Sequence, residues 1–223
     1  GTGLAFSIIN SNILTKNKTT VLSGWEPSKD AKLLVYGLSE AANDQKSFHV
    51  MDVQTGEKLK DVIPKEVYPL FPIEWSFEND GFWYSRRLIN VPKGEERFHQ
   101  KLYFHKLGDD YKNDKMIFGE MLNKEDLFAN VYLSENGHYL LLTIVVLSGK
   151  IEKTEMYLQD RYSSTKEFIP VIKGVNALFY GEIYRDAFYI MTNYKTSFWK
   201  IIKIKINEIK YGKKRWKPII PES

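Results

Sequence analysis

One pattern recurs four times along the chain and constrains the fold more than any other feature. A short polar turn leads into a dense apolar run: Ser28-Lys29-Asp30-Ala31-Lys32-Leu33-Leu34-Val35-Tyr36, then Glu78-Asn79-Asp80-Gly81-Phe82-Trp83-Tyr84. The third copy is Ser134-Glu135-Asn136-Gly137-His138-Tyr139-Leu140-Leu141-Leu142, and a degenerate fourth is Tyr184-Arg185-Asp186-Ala187-Phe188-Tyr189-Ile190-Met191. Asp, Asn and Gly tolerate the positive φ of tight hairpin turns. Apolar residues at nearly every position predict a strand covered on both faces. A spacing of about fifty to sixty residues is that of β-propeller blades.

Each central strand is followed by a more polar segment with a period of two: Phe48-His49-Val50-Met51-Asp52-Val53, Lys101-Leu102-Tyr103-Phe104-His105-Lys106-Leu107, Glu155-Met156-Tyr157-Leu158, and Trp199-Lys200-Ile201-Ile202-Lys203-Ile204-Lys205-Ile206. Alternation predicts strands with one wet face. No long segment holds a helical period, and only residues 121–128 are expected to form a single helical turn. The fold class is therefore all-β: an antiparallel β-propeller of about four blades, over 21–68, 69–126, 127–173 and 174–223. A strand of an incomplete blade is expected over 1–20. The 14% aromatic share favours pleated, half-buried surfaces, and 43% hydrophobic residues are enough to bury a core.

Several classes of chemistry are excluded or disfavoured. There are no cysteines, hence no disulfide, thiol nucleophile or zinc–cysteine site. The sequence contains no Gly-x-Ser-x-Gly elbow, no His-Glu-x-x-His and no phosphate or calcium loop. His49, His99, His105 and His138 are expected to be surface or packing residues. His99 and His105 would share one strand face, too far apart along it to hold one ion. Glu95-Glu96, Asp109-Asp110 and Glu125-Asp126 read as solvated turns. No metal or cofactor is expected.

The net charge of +4 is modest, and its basic residues concentrate only over 200–217. With Trp199, Tyr211 and Trp216 interleaved, that run has the composition of a single-strand nucleic-acid platform. Its Ile/Lys alternation favours instead a strand with one solvated face, so no nucleic-acid partner is expected. The opening Gly1-Thr2-Gly3-Leu4-Ala5-Phe6-Ser7 lacks the pattern of a signal peptide, and the apolar run 140–147 is too short to span a bilayer. A cytoplasmic location without membrane association is the expectation.

The ordered pieces resemble the propeller of the prolyl oligopeptidase (prolyl endopeptidase) family. They include Val21-Leu22-Ser23-Gly24-Trp25, Asp52-Val53-Gln54-Thr55-Gly56-Glu57, Trp75 with Tyr84-Ser85-Arg86, His99-Gln100-Lys101-Leu102-Tyr103, and the ending Trp216-Lys217-Pro218-Ile219-Ile220-Pro221. The resemblance implies a partial propeller, relative to seven blades in the family. It also implies a partner α/β-hydrolase domain of the same protein, absent from this sequence, which carries a Ser-Asp-His triad and cleaves short peptides after proline. The propeller would cover that active site and restrict access to short peptides, and this chain alone would be no enzyme. Family positions that face substrate fall at Phe128, Val145 and Leu70. Where the family has an arginine that binds substrate backbone, Val145 has no donor. The alternative is a stand-alone scaffold for protein interaction, with self-association through exposed blade faces.

Overall fold

The computed structural model describes residues 9, 20–40, 45–147 and 153–220. The strand expected over 1–20 lies outside these, apart from Ile9 and from Thr20, which opens β1. Sixteen described strands form four antiparallel sheets of four strands each. The first holds β1 (Thr20–Pro27), β2 (Leu33–Glu40), β3 (Lys46–Asp52) and β4 (Lys58–Ile63). The second holds β5 (Pro69–Trp75), β6 (Gly81–Arg87), β7 (Gln100–Lys106) and β8 (Lys115–Phe118). The third holds β9 (Leu127–Leu133), β10 (Tyr139–Val146), β11 (Lys153–Asp160) and β12 (Phe168–Ile172). The fourth holds β13 (Phe179–Tyr184), β14 (Ala187–Thr192), β15 (Lys200–Lys205) and β16 (Lys217–Ile220). Every sheet is a meander in chain order, the arrangement that short hairpin connections allow.

The recurrent turns join the first strand of each sheet to its second. Ser28 Oγ donates to Asp30 (2.8 Å) and accepts from the Leu33 amide (2.9 Å). Ser134 repeats this with Asn136 and the Tyr139 amide, and Ser76 does so with Asp80. The side chains thus replace backbone partners lost at the reversal. The fourth turn lacks the serine and closes in two residues, with Tyr184 directly opposite Ala187 and Arg185 at φ 55°.

The described residues divide into two compact units, one within 1–91 and 101–118, the other within 92–100 and 119–223. In the first unit, β2, β3 and β4 pack against β5 and β6 through Val35, Phe48, Val50, Ile63, Ile73, Trp75, Phe82 and Tyr84. The Phe71 ring fits against Gly24, where an added Cβ would lie 2.6 Å from it. Trp75 Nε1 donates to the Glu26 carbonyl (2.9 Å), so this buried indole meets its polar requirement across the two sheets. In the second unit Leu141, Met156, Leu158, Phe179, Phe188, Ile190, Ile202 and Ile204 form the core. Thr154 Oγ1 bonds both the amide (2.6 Å) and the carbonyl (2.9 Å) of Phe179 there.

Three expectations need correction. The third strands β7 and β11 are buried on most of both faces, because they remain interior to a four-stranded sheet. The wet positions belong to the fourth strands, whose outer edges have no neighbour in their sheet. Residues 121–126 form turns without a helix, and Leu127 and Phe128 already belong to β9. The basic run is a strand only to Lys205. Residues 206–215 wind as 3-10 turns broken at Gly212 before β16.

Candidate functional site

The most concentrated titratable chemistry among the described residues lies in the first unit, between its two sheets. β7 carries His105, β6 carries Tyr84, β4 carries Asp61, and Asp114 lies between a 3-10 turn (Tyr111–Asn113) and β8. His105 is brought close because Gly81 lets β6 approach β7: an added Cβ would sit 2.2 Å from the His105 carbonyl oxygen. His105 Nδ1 lies 2.9 Å from Asp114 Oδ1, and Nε2 lies 3.2 Å from Asp61 Oδ1. Tyr84 Oη donates to Asp114 Oδ2 (2.7 Å), and the Gly108 amide donates to Asp61. The side chains of His105, Asp61 and Asp114 are 0%, 3% and 1% exposed.

Both imidazole nitrogens face carboxylate oxygens, and only the imidazolium can donate to both. Burial by itself would lower the His105 pKa. The hydrogen bonds to and charges of Asp114 and Asp61 outweigh that and raise it. Burial and the Asp114 charge push the Tyr84 phenol well above its ordinary range. A Tyr–Asp–His–Asp string has the parts of a proton relay, yet every member is closed off from solvent. A relay needs contact with substrate or water. The cluster is a seam that ties β4 of one sheet to β6, β7 and the turn before β8 of the next.

The other histidines also have partners close at hand. His49 stacks on Tyr36 and lies 2.8 Å from Ser47 Oγ, with its pKa lowered by burial and by Lys58. His138 stacks on Tyr139 and meets Asp160 at 2.9 Å. His99 precedes β7 at φ 61° and pairs with Glu95 at 2.6 Å, so it shares no strand face with His105. Glu95 also holds Lys124, and Asp126 is buried, accepting from the Asn123 amide. Those two carboxylates are thus engaged rather than simply solvated. No group of three metal-capable side chains occurs among the described residues. No helix there is long and apolar enough to cross a membrane.

Of the positions expected to face substrate, Leu70 is half-buried on β5, opposite Ser85 and one register step from the Pro69–Arg86 pair. Phe128 is buried on β9 opposite Ile144, and Val145 is half-buried on β10 opposite Leu127. Adjacent residues of a strand alternate in direction, so Phe128 and Val145 point to opposite faces of one sheet. Asp61 and Asp114 gave no sequence signal of their pairing: they lie 44 and 9 residues from His105.

Residues 3–223 match the family model described as "Prolyl oligopeptidase, N-terminal beta-propeller domain". The chain is 25% identical over 221 residues to a prolyl endopeptidase of Elizabethkingia meningoseptica, covering 96% of this chain and 30% of that protein. It is 26% identical over 224 residues to the prolyl endopeptidase of Elizabethkingia miricola, again with 96% and 30% coverage. A solved structure from a study of two prolyl endopeptidases superposes with a TM-score of 0.85 at 25% identity, covering 100% of this chain and 32% of the other. Prolyl oligopeptidase B from Galerina marginata shares the fold, with a TM-score of 0.77 at 20% identity. The chain thus spans about 30% of the length of the relatives it matches.

Proposed function

The chain belongs to the prolyl oligopeptidase N-terminal β-propeller family, and from that premise we propose that it is the non-catalytic propeller portion of a serine peptidase. In this role it covers the active site of an α/β-hydrolase domain and admits only short peptides. The observation that carries the reading is the joint one of length and fold. Four four-stranded meanders match the propeller model from residue 3 to 223, while the endopeptidase relatives are about three times longer. The interior supports a rigid cover rather than a reactive one, because its densest polar cluster is sealed and internally paired.

Two measurements test this. The purified chain should leave a proline-containing reporter peptide intact; hydrolysis abolished by a serine-directed inhibitor would overturn the non-catalytic assignment. Joined to the hydrolase portion of an endopeptidase relative, the chain should preserve cleavage of the short reporter and suppress cleavage of an unfolded protein of a hundred or so residues. Equal cleavage of both would overturn the filter role.

A second reading, a propeller scaffold that associates through blade faces, is favoured by one specific observation. Tyr180, Glu182, Tyr184, Tyr189, Met191 and Ile201 share one face of the fourth sheet, and that face is open: Tyr184 is 49% and Met191 42% exposed. Sedimentation that shows a stable monomer at high concentration would remove this reading.

A further inference from the structure

A second feature of the first unit lies at the end of the same inter-sheet seam. A cavity of about 330 Å³ opens where β6 ends, with Val67 and Tyr103 among its lining and Leu88 and Ile89 as apolar walls. Leu88 and Ile89 are 37% and 56% exposed, so apolar surface faces solvent at the mouth. The lining contains three cations, Arg86, Arg87 and Lys112, and no acidic side chain. Arg86 lies with its guanidinium carbon 3.8 Å above the Tyr103 ring. That stack fixes the plane of the guanidinium and leaves its N–H edge to donate, the arrangement suited to a planar oxyanion. Arg86 forms no ion pair among the described residues. The nearby Asp114 carboxylate is already held by His105 and Tyr84.

We propose that this cavity binds the free carboxylate end of a short apolar peptide, with Arg86 as the oxyanion donor, Arg87 and Lys112 supplying field, and Leu88 and Ile89 packing the side chains. The volume stands at the low end of small-ligand sites, about 300 Å³, which suits a molecule of dipeptide size rather than a folded chain. The walls distinguish an apolar acid from inorganic phosphate, which would leave them wet. That the acid is a peptide rests on the peptidase-propeller reading; the need for a carboxylate does not.

The test is calorimetric titration of the purified chain at low salt with four probes: N-acetyl-alanyl-proline, its C-terminal amide, 4-phenylbutyrate and inorganic phosphate. Both organic acids should bind, the peptide acid at least tenfold more tightly than its amide and more tightly than phosphate. Arg86→Met should weaken the peptide acid at least tenfold and leave the amide unchanged. Lys112→Ala, at an exposed position, should weaken the acid severalfold and serves if the arginine variant fails to fold. Equal binding of acid and amide, or unchanged affinity in Lys112→Ala and in a folded Arg86→Met, overturns the site. Phosphate binding as tightly as the peptide acid, or 4-phenylbutyrate binding without the peptide acid, overturns the peptide assignment. None of these readings depends on hydrolysis or filtering, so failure here and failure of the filter role are separately visible.

Discussion

Replacing His105 by leucine should be among the most damaging single changes in the first unit. The variant keeps the volume filled but leaves Asp61 and Asp114 buried without the imidazolium between them. Removing one partner from a buried, hydrogen-bonded charge set costs about 3–5 kcal/mol, because the remaining charge stays desolvated. The Gly108 amide and the Tyr84 hydroxyl still serve one carboxylate each, which places the expectation near the lower end, about 3 kcal/mol. Adding Asp61→Asn to His105→Leu should recover part of that loss by neutralising one stranded charge. The pH dependence follows in sign. The folded pKa of His105 is raised above its ordinary value of 6.5. Its contribution is therefore complete below about pH 6.5 and is lost as pH rises through the higher folded value. One proton changes stability by at most about 1.4 kcal/mol per pH unit over that window. Urea unfolding followed by tryptophan fluorescence at pH 6, 7, 8 and 9 reads both effects, since Trp75 lies in the same core. A His105→Leu variant within about 1 kcal/mol of the parent at pH 6, well below the expected cost, would refute the reasoning. So would an unchanged slope above pH 7.

Three further outcomes are expected. Thr154→Val should cost about 2 kcal/mol in urea unfolding, because the Phe179 amide and carbonyl lose a buried partner that valine cannot replace. Gly81→Ala should destabilise by about 3 kcal/mol or abolish soluble expression, since its Cβ would meet the His105 carbonyl; full stability would show that β6 and β7 are farther apart than described. Tyr184→Ser with Met191→Ser should leave stability within about 0.5 kcal/mol, as for other exposed sites, while lowering any self-association seen by sedimentation; unchanged association would place the contact elsewhere.

The hairpin serines show how much of the fold was legible. Ser28 and Ser134 open the polar turns that the sequence marks, Ser76 lies two residues ahead of the marked Glu78–Gly81 turn, and the strands after all three are buried on both faces as an unbroken apolar run requires. The fourth copy misled in one respect: β14 reads as apolar throughout, yet Met191 is 42% exposed and Tyr189 only half-buried. Hydrophobicity says that a face is fit to be covered, not that a cover is present. His105 was harder still. A histidine between Phe104 and Lys106 carries no mark of burial, and nothing local ties it to Asp61. Arg86 and Lys112 likewise come together only through the folding of β6 beside the turn before β8.

The sequence by itself determined the local alphabet: where the chain turns, which strands are apolar enough to be covered on both faces, and that it holds no cysteine and no Gly-x-Ser-x-Gly. These follow from short-range sterics and from the period of the apolar pattern. Tertiary structure alone decided which third strands are dry, that His99 and His105 part company, and that two aspartates converge on one imidazole. Those outcomes depend on which residues meet across sheets after tens of intervening residues, and the energy of a buried charge is set by that meeting rather than by its neighbours in the chain.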